Sequence, residues 1–292
     1  MNTAENTSIE AAWHWFLKSL EGIIPEKELQ AIGREVFRHF FSIEPAERVL
    51  NPGQTFSAAH LRVLENVVEQ LKEHTPLQHI TGVAHFFDLE FSVNQNVLIP
   101  RPETEELVQW VLDTIKEDLG SLSAGLSLLD VGTGSGCIAI ALASKLSKAW
   151  INACDVSEAA LKLSSENASR NNVAVNFFSC DVLNDDPAIS GLDLVVSNPP
   201  YIRESEKPLM QPNVLDYEPA SALFVSDDDP LVFYRTIARK AQTWLKPGGW
   251  LFFEINENLA QETIECIEKE GFVNVELKQD INGRDRMIRA RK

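Results

Sequence analysis

The chain has 292 residues, 44% hydrophobic and 24% charged, ordinary for a globular protein with a large core, most often in two domains. No stretch reaches the ~18–20 uninterrupted apolar residues of a membrane span. With 43 acidic against 26 basic residues the formal charge is −17, which argues against non-specific nucleic-acid binding through phosphate neutralisation.

Met1-Asn2-Thr3-Ala4-Glu5-Asn6 lacks the basic and apolar parts of a signal peptide, so a cytoplasmic location is expected. Residues 5 to about 74 then read as helical, with no strand pattern interrupting them. Trp13, Phe16, Leu17 and Leu20 fall at helical spacing. After the break at Pro25, Leu29, Ile32, Val36, Phe37, Phe40 and Phe41 do so again. Asn51-Pro52-Gly53 is a turn, and Ser57 caps a helix carrying Leu61, Leu64, Val68 and Leu71. This is a small helical domain, residues 1–74, whose aromatics are read as core.

Residues 75–99 read as a hairpin linker. Phe86 to Val93 alternates like one strand, and Val97-Leu98-Ile99 is expected to pair with it across Asn94-Gln95-Asn96. A helix then starts within Pro100-Arg101-Pro102-Glu103-Thr104-Glu105. For Arg101, Glu103 and Glu105 two readings stay open: a salt-bridged helix start, or contact with a ligand.

Beyond residue 125 short apolar strands alternate with helices, the pattern of a parallel sheet covered on both faces. Strands are expected at Leu126–Val131, Trp150–Cys154, Val173–Cys180, Leu192–Ser197 and Trp250–Ile255. Helices are expected near 157–171, 231–245 and 259–269, the second stopped by Lys246-Pro247-Gly248-Gly249. Val273–Leu277 and Met287–Ala290 close the sheet as an antiparallel pair. Cys137, Cys154, Cys180 and Cys266 match no zinc spacing and are read as buried reduced thiols; the six histidines are scattered, and no metal site is expected.

Two stretches carry chemistry. Gly132-Thr133-Gly134-Ser135-Gly136 sits where the first strand meets a helix, where glycines allow a tight turn and close approach of a ligand. The spacing is neither that of a pyrophosphate-binding turn nor that of a P-loop. Asp155, ending the next strand, is placed to accept both hydroxyls of a ribose. Asp181 and Val182, ending the third, are placed to border an adenine. A nucleoside cofactor without phosphates fits, S-adenosylmethionine better than a dinucleotide. Asn198-Pro199-Pro200-Tyr201 follows a buried strand, and two prolines hold the segment extended. The Asn198 oxygen and the Pro199 carbonyl can accept the two hydrogens of one NH2 group, while Tyr201 packs on its flat face.

On these residues the chain resembles class I S-adenosylmethionine-dependent methyltransferases, and more narrowly the PrmC/HemK family. The narrower likeness rests on the helical N-terminal region, Pro76-Leu77-Gln78-His79-Ile80-Thr81-Gly82, Leu98 to Glu105, the glycine loop, Asn198-Pro199-Pro200-Tyr201, and Asp280 to Arg286. The resemblance implies an α/β fold, a Rossmann-like methyltransferase sheet over residues 100–292 with the helical domain docking a protein substrate. It implies methylation of the side-chain nitrogen (N5) of the glutamine in the Gly-Gly-Gln motif of class I peptide chain release factors. S-adenosyl-L-methionine would be the cofactor and S-adenosyl-L-homocysteine its product. Gly132, Thr133, Gly134, Ser135, Gly136, Asp155, Asp181, Val182 and Asn198 would bind the cofactor. Asn198, Pro199, Pro200 and Tyr201 would bind the glutamine, with Asn198, Pro199 and Tyr201 catalytic. Two positions depart from the family: Asn256 stands where many members carry Gly, and Val182 where some carry an adenine-stacking aromatic. A glutamine methyltransferase for a ribosomal protein shares the layout. An adenine-N6 DNA methyltransferase shares Asn-Pro-Pro-Tyr, but the net charge and the lack of a basic insertion count against it.

Overall fold

The computed structural model describes residues 7–51, 53–119 and 125–292. The expectations for residues 1–6 and for Pro52 lie outside these. The chain divides into two compact units, one running through Gly82 and joined by Pro212–Tyr217, the other made of Val83–Gln211 and Glu218–Lys292.

The first unit is built on α1 (Ile9–Leu20), α2 (Glu26–Phe41) and α3 (Ala58–Lys72). Ser8 and Ser57 cap α1 and α3, each accepting a backbone N–H three residues on at 3.2 Å. Trp13, Phe16, Phe37, Phe56, Leu64 and Val68 meet in one core, with Trp13 edge-on to Phe37 at 5.2 Å between ring centroids. Two features depart from the sequence reading. Thr7–Ser8 pairs antiparallel with Thr55–Phe56, strands too short for any alternation to show. The unit also continues beyond residue 74 to Gly82, because Leu77 and Ile80 pack on the helical core. Tyr217 returns to it, accepting from the Thr75 hydroxyl at 3.0 Å and donating to the Glu73 carbonyl at 2.9 Å.

The second unit opens with a hairpin, β1 (Val83–Phe86) and β2 (Leu89–Ser92). The expected single strand therefore breaks at Phe87-Asp88, and Val97–Ile99 is not a strand. Both turn residues have positive φ, 53° and 62°, as a two-residue primed turn requires. Phe87 and Asp88 are poor residues for such a turn, which is why the sequence hid it; the Phe87 N–H is held by the Glu105 carboxylate at 2.9 Å. The hairpin is no linker here: Phe86 and Phe91 are buried in the second unit's core against the helix α4 (Pro102–Leu119).

The central sheet has seven strands: β3 (Ser127–Val131), β4 (Trp150–Asp155), β5 (Asn176–Ser179), β6 (Leu192–Ser197), β7 (Leu245–Glu254), β8 (Val273–Gln279) and β9 (Asp285–Arg291). The order across it is β8-β9-β7-β6-β3-β4-β5, parallel except for β9, which runs antiparallel to both β7 and β8. Continuous burial of Leu128–Val131 and Leu194–Ser197 reflects helices on both faces. On one face lie α4 and α5 (Cys137–Lys145). On the other lie α7 (Val232–Trp244) and α8 (Ala260–Lys269). Between α5 and α7 in sequence, α6 (Glu158–Arg170) is capped by Ser157.

β5 is shorter than expected, because Val173 still closes the end of α6 through the Ala168 carbonyl at 3.1 Å. Lys246-Pro247-Gly248-Gly249 does not simply stop a helix: it lies within β7, as an irregularity where the register against β6 shifts between Leu245 and Trp250. All four cysteines are buried and free. Among the described residues no helix is long and apolar enough to cross a membrane.

Candidate active site

β3 has β4 on one side and β6 on the other, so the strand order reverses around it. A crevice at the carboxyl ends of such strands is where open α/β sheets take ligands. The cavity found there has a volume of about 360 Å³. Its wall includes Gly132, Thr133, Gly134 and Ser135 after β3, Asp155 to Ser157 after β4, and Cys180 to Val182 after β5. Ser197, Asn198, Pro199 and Pro200 after β6 complete the sequence-expected part.

Backbone and side-chain bonds hold the glycine loop. Gly132 and Thr133 each donate N–H to the Cys154 carbonyl at 2.9 Å. The Thr133 hydroxyl donates to the buried Asp130 carboxylate at 2.7 Å. Asp155 closes the loop from β4: Oδ2 accepts the Gly134 N–H and Oδ1 the Ser157 N–H, both at 2.9 Å. Gly132 and Gly134 have φ of 74° and 53°, and a Cβ on either would meet nothing within 4 Å. Their missing side chains leave open space on the cavity wall. Gly136 differs. It is not on the wall, and a Cβ there would lie 2.8 Å from Ile140 and 2.9 Å from Ser164, so this glycine serves the packing of α5 on α6.

Asp181 borders the cavity, but its oxygens are engaged locally by the Asn184 amide at 2.8 Å and the Leu183 N–H at 3.0 Å. The Asn184 bond is the main cause of its lowered pKa. Val182 is buried beside it. Tyr201 is absent from the cavity wall. Its hydroxyl donates to Glu254 Oε1 at 3.1 Å, and its ring packs against the core shared with α7.

Glu254 and Thr104 were not singled out from the sequence as site residues. Glu254, at the end of β7, is 1% exposed and also accepts the Thr104 hydroxyl at 2.6 Å. Asn198 Nδ2 donates to Thr104 Oγ1 at 3.3 Å. The signal was a carboxylate ending the otherwise apolar run Trp250–Phe253, a residue type rarely buried unless paired. Asn256 donates to the Tyr201 carbonyl at 3.0 Å and to Glu206 at 3.1 Å, tying down the segment after Pro200. The two readings left open around Arg101 resolve by residue. Arg101 both lines the cavity and pairs with buried Glu218 at 2.6 Å, while Glu105 serves the hairpin turn.

Burial pushes the Asp130 carboxyl from 3.8 up to about 7, against the Thr133 hydroxyl, which lowers it. Between these values the folded chain keeps a proton that the unfolded chain has lost. The resulting contribution to stability is therefore present below pH 3.8 and lost as the pH rises through 7. Between pH ~5 and 7 wild type should lose about 3 kcal/mol relative to Asp130→Asn. Urea unfolding of both proteins at pH 5 to ~8 checks this; parallel curves would contradict it.

The family model "PrmC N-terminal domain" matches residues 11–82, and the model "Methyltransferase small domain" matches 109–214. The release factor glutamine methyltransferase of Flavobacterium psychrophilum is 46% identical over 94% of this chain and 96% of its own. The chain belongs to the release factor glutamine methyltransferase family. The member from Bacteroides thetaiotaomicron is 41% identical over 94% of this chain and 96% of its own. Among solved structures, a methyltransferase from Pyrococcus furiosus matches with a TM-score of 0.50 at 20% identity, over 81% of this chain and 99% of that one, a likeness of fold. The seven-stranded sheet is thus that of a methyltransferase, and the chain is an enzyme of that class.

Proposed function

We propose that this enzyme transfers a methyl group from S-adenosyl-L-methionine to the side-chain nitrogen of the glutamine in the Gly-Gly-Gln motif of class I peptide chain release factors, leaving S-adenosyl-L-homocysteine and one proton, which passes from the alkylated nitrogen to water. The observation that carries the proposal is that one cavity is walled by both an open glycine loop with its acid and by Asn198-Pro199. The cofactor supplies an electrophilic methyl group. Gly132 to Ser135 would hold it in the space their missing Cβ atoms leave, and Asp155 would take its ribose. The two backbone N–H groups on Asp155 fix that carboxylate while leaving a lone pair on each oxygen for a ribose hydroxyl. Asp181 and Val182 would border the adenine.

An amide nitrogen is a weak nucleophile because its lone pair is delocalised. Orientation must then carry much of the rate, and good positioning supplies ~7–11 kcal/mol. Asn198 Oδ1 and the Pro199 carbonyl would accept the two NH2 hydrogens and stabilise the positive charge that develops on that nitrogen. Pro200 keeps the segment extended. Tyr201, held by Glu254, would support the glutamine's side of the site.

One glutamine offers little surface for selection, so we assign docking of the release factor to the helical first unit. Mass-spectrometric mapping of a treated release factor should find one added methyl, on the Gly-Gly-Gln glutamine. The free tripeptide should react with kcat/KM lower by ~10²-fold or more, having lost the remote binding energy. A methyl mapped elsewhere, or an equally good tripeptide, would overturn substrate or docking respectively.

A further inference from the structure

We propose that Glu254 sets the orientation of the Asn198 amide, acting through the Thr104 hydroxyl, so that the Asn198 oxygen faces the cavity. The inference rests on the amide-accepting role of Asn198 given above and names what enforces it. The three groups come from three separate elements: α4, the segment after β6, and the end of β7.

The argument is one of proton counting. An ionised carboxylate only accepts, so the Thr104 hydroxyl, at 2.6 Å, must give Glu254 its single proton. Thr104 Oγ1 is then left as an acceptor toward its other neighbour. That neighbour is Asn198, at 3.3 Å, and it can bond to Thr104 only through Nδ2. Because the amide is planar, Oδ1 is turned away from Thr104, on a residue that lines the cavity. Reversing the amide would set two acceptor oxygens, Asn198 Oδ1 and Thr104 Oγ1, against each other. It would also present NH2 to the substrate's own NH2. The same carboxylate takes the Tyr201 hydroxyl at 3.1 Å on its other oxygen, so one buried acid fixes both functional side chains of Asn198-Pro199-Pro200-Tyr201.

Specific neighbours oppose the burial that disfavours the charged form of Glu254. Burial raises its pKa, while the hydroxyls of Thr104 and Tyr201 and the positive charge of Arg286 on β9 lower it; Glu103 on α4 raises it. Tyr234 on α7 donates to the Glu254 carbonyl at 3.2 Å, and the Cys137 thiol on α5 is also within its electrostatic reach. Protonation would make Glu254 a donor and release Thr104 from its fixed direction. Turnover should accordingly fall as the pH drops through the raised Glu254 pKa.

The test compares Thr104→Val, which keeps the shape and removes the hydroxyl, with Thr104→Ser, which restores it, and with Glu254→Gln. Thr104→Val and Glu254→Gln should lower kcat by ~10–10²-fold with S-adenosylmethionine affinity within ~2-fold of wild type. Thr104→Ser should return near wild-type kcat, and Glu254→Gln should lose the acidic limb of the pH profile. Should Glu254→Gln not fold, the Thr104 pair decides alone. A wild-type kcat in Thr104→Val, or equal impairment in Thr104→Val and Thr104→Ser, would overturn the proposal. A readout without turnover separates this from the substrate assignment: in protein carrying isotope-labelled asparagine, the Asn198 NH2 resonances should shift in Thr104→Val and stay in place in Thr104→Ser. If wild type fails to methylate a release factor while those resonances behave as stated, the substrate is wrong and the orienting device stands. Unchanged resonances in Thr104→Val would sink the device itself.

Discussion

Asn198→Ala is expected to lower kcat on a release factor by ~10²–10³-fold while leaving S-adenosylmethionine affinity within ~2-fold of wild type. The size of the loss follows from what Asn198 contributes. Its oxygen is one of two acceptors proposed to fix the glutamine NH2, and the other is the backbone carbonyl of Pro199, which cannot be mutated away. Removing one acceptor frees the amide to rotate and leaves the developing charge on nitrogen half-compensated, so the loss falls on the transition state rather than on binding. The cofactor-side contacts, Gly132 to Ser135 and Asp155, are untouched by the change, because the Asn198 side chain bonds only Thr104 among the described residues. Asn198→Asp should be nearly as poor: an ionised carboxylate would face the oxygen of Thr104, whose only proton is given to Glu254. Calorimetry of cofactor binding beside steady-state kinetics checks both halves. A comparable loss of cofactor affinity would contradict the division of labour.

Asp155→Ala should show the opposite signature, a cofactor Kd raised by ~10²-fold or more with kcat at saturation changed far less. Two effects add. The ribose loses its acceptor, and the N–H groups of Gly134 and Ser157 lose theirs, so the loop that forms the cavity wall is no longer held at the end of β4. Asp155→Asn is not a mild substitute. Either orientation of its amide turns NH2 toward one of those two backbone donors, so it should lose most of the same affinity. Calorimetry at several cofactor concentrations separates this from an unfolding effect, and an unchanged Kd would remove Asp155 from the site.

How much of this was legible in the sequence depended on whether a signal was local. β6 was read with its observed ends because both faces of a parallel strand are covered, giving a mostly apolar run, interrupted by Asp193, that stops at a polar, proline-rich segment. The glycine loop and Asp155 were legible because a tight turn and an acid at successive strand ends occupy fixed places in such a sheet. The hairpin was misread because its turn is Phe87-Asp88, residues that seldom take positive φ, and its support comes from Glu105 on a later helix. Gly136 looked like the other loop glycines, yet only the packing of Ile140 and Ser164 against it reveals a different task. Thr104 and Glu254 were out of reach for a simpler reason. They lie far apart in the chain and gain meaning only when α4 and β7 bring them into contact. Tyr201 illustrates the same limit from the other side: its place in the motif suggested packing on the flat face of the substrate amide, whereas it is off the cavity wall and its hydroxyl bonds to that buried acid.

The central claim is tested most directly by transfer of labelled methyl from S-adenosylmethionine to a purified class I release factor, run beside the same factor with its Gly-Gly-Gln changed to Gly-Gly-Ala. Label on the first and none on the second is the predicted result. Label on both factors, or on neither while the cofactor still binds, would contradict the assignment of the glutamine as the methyl acceptor.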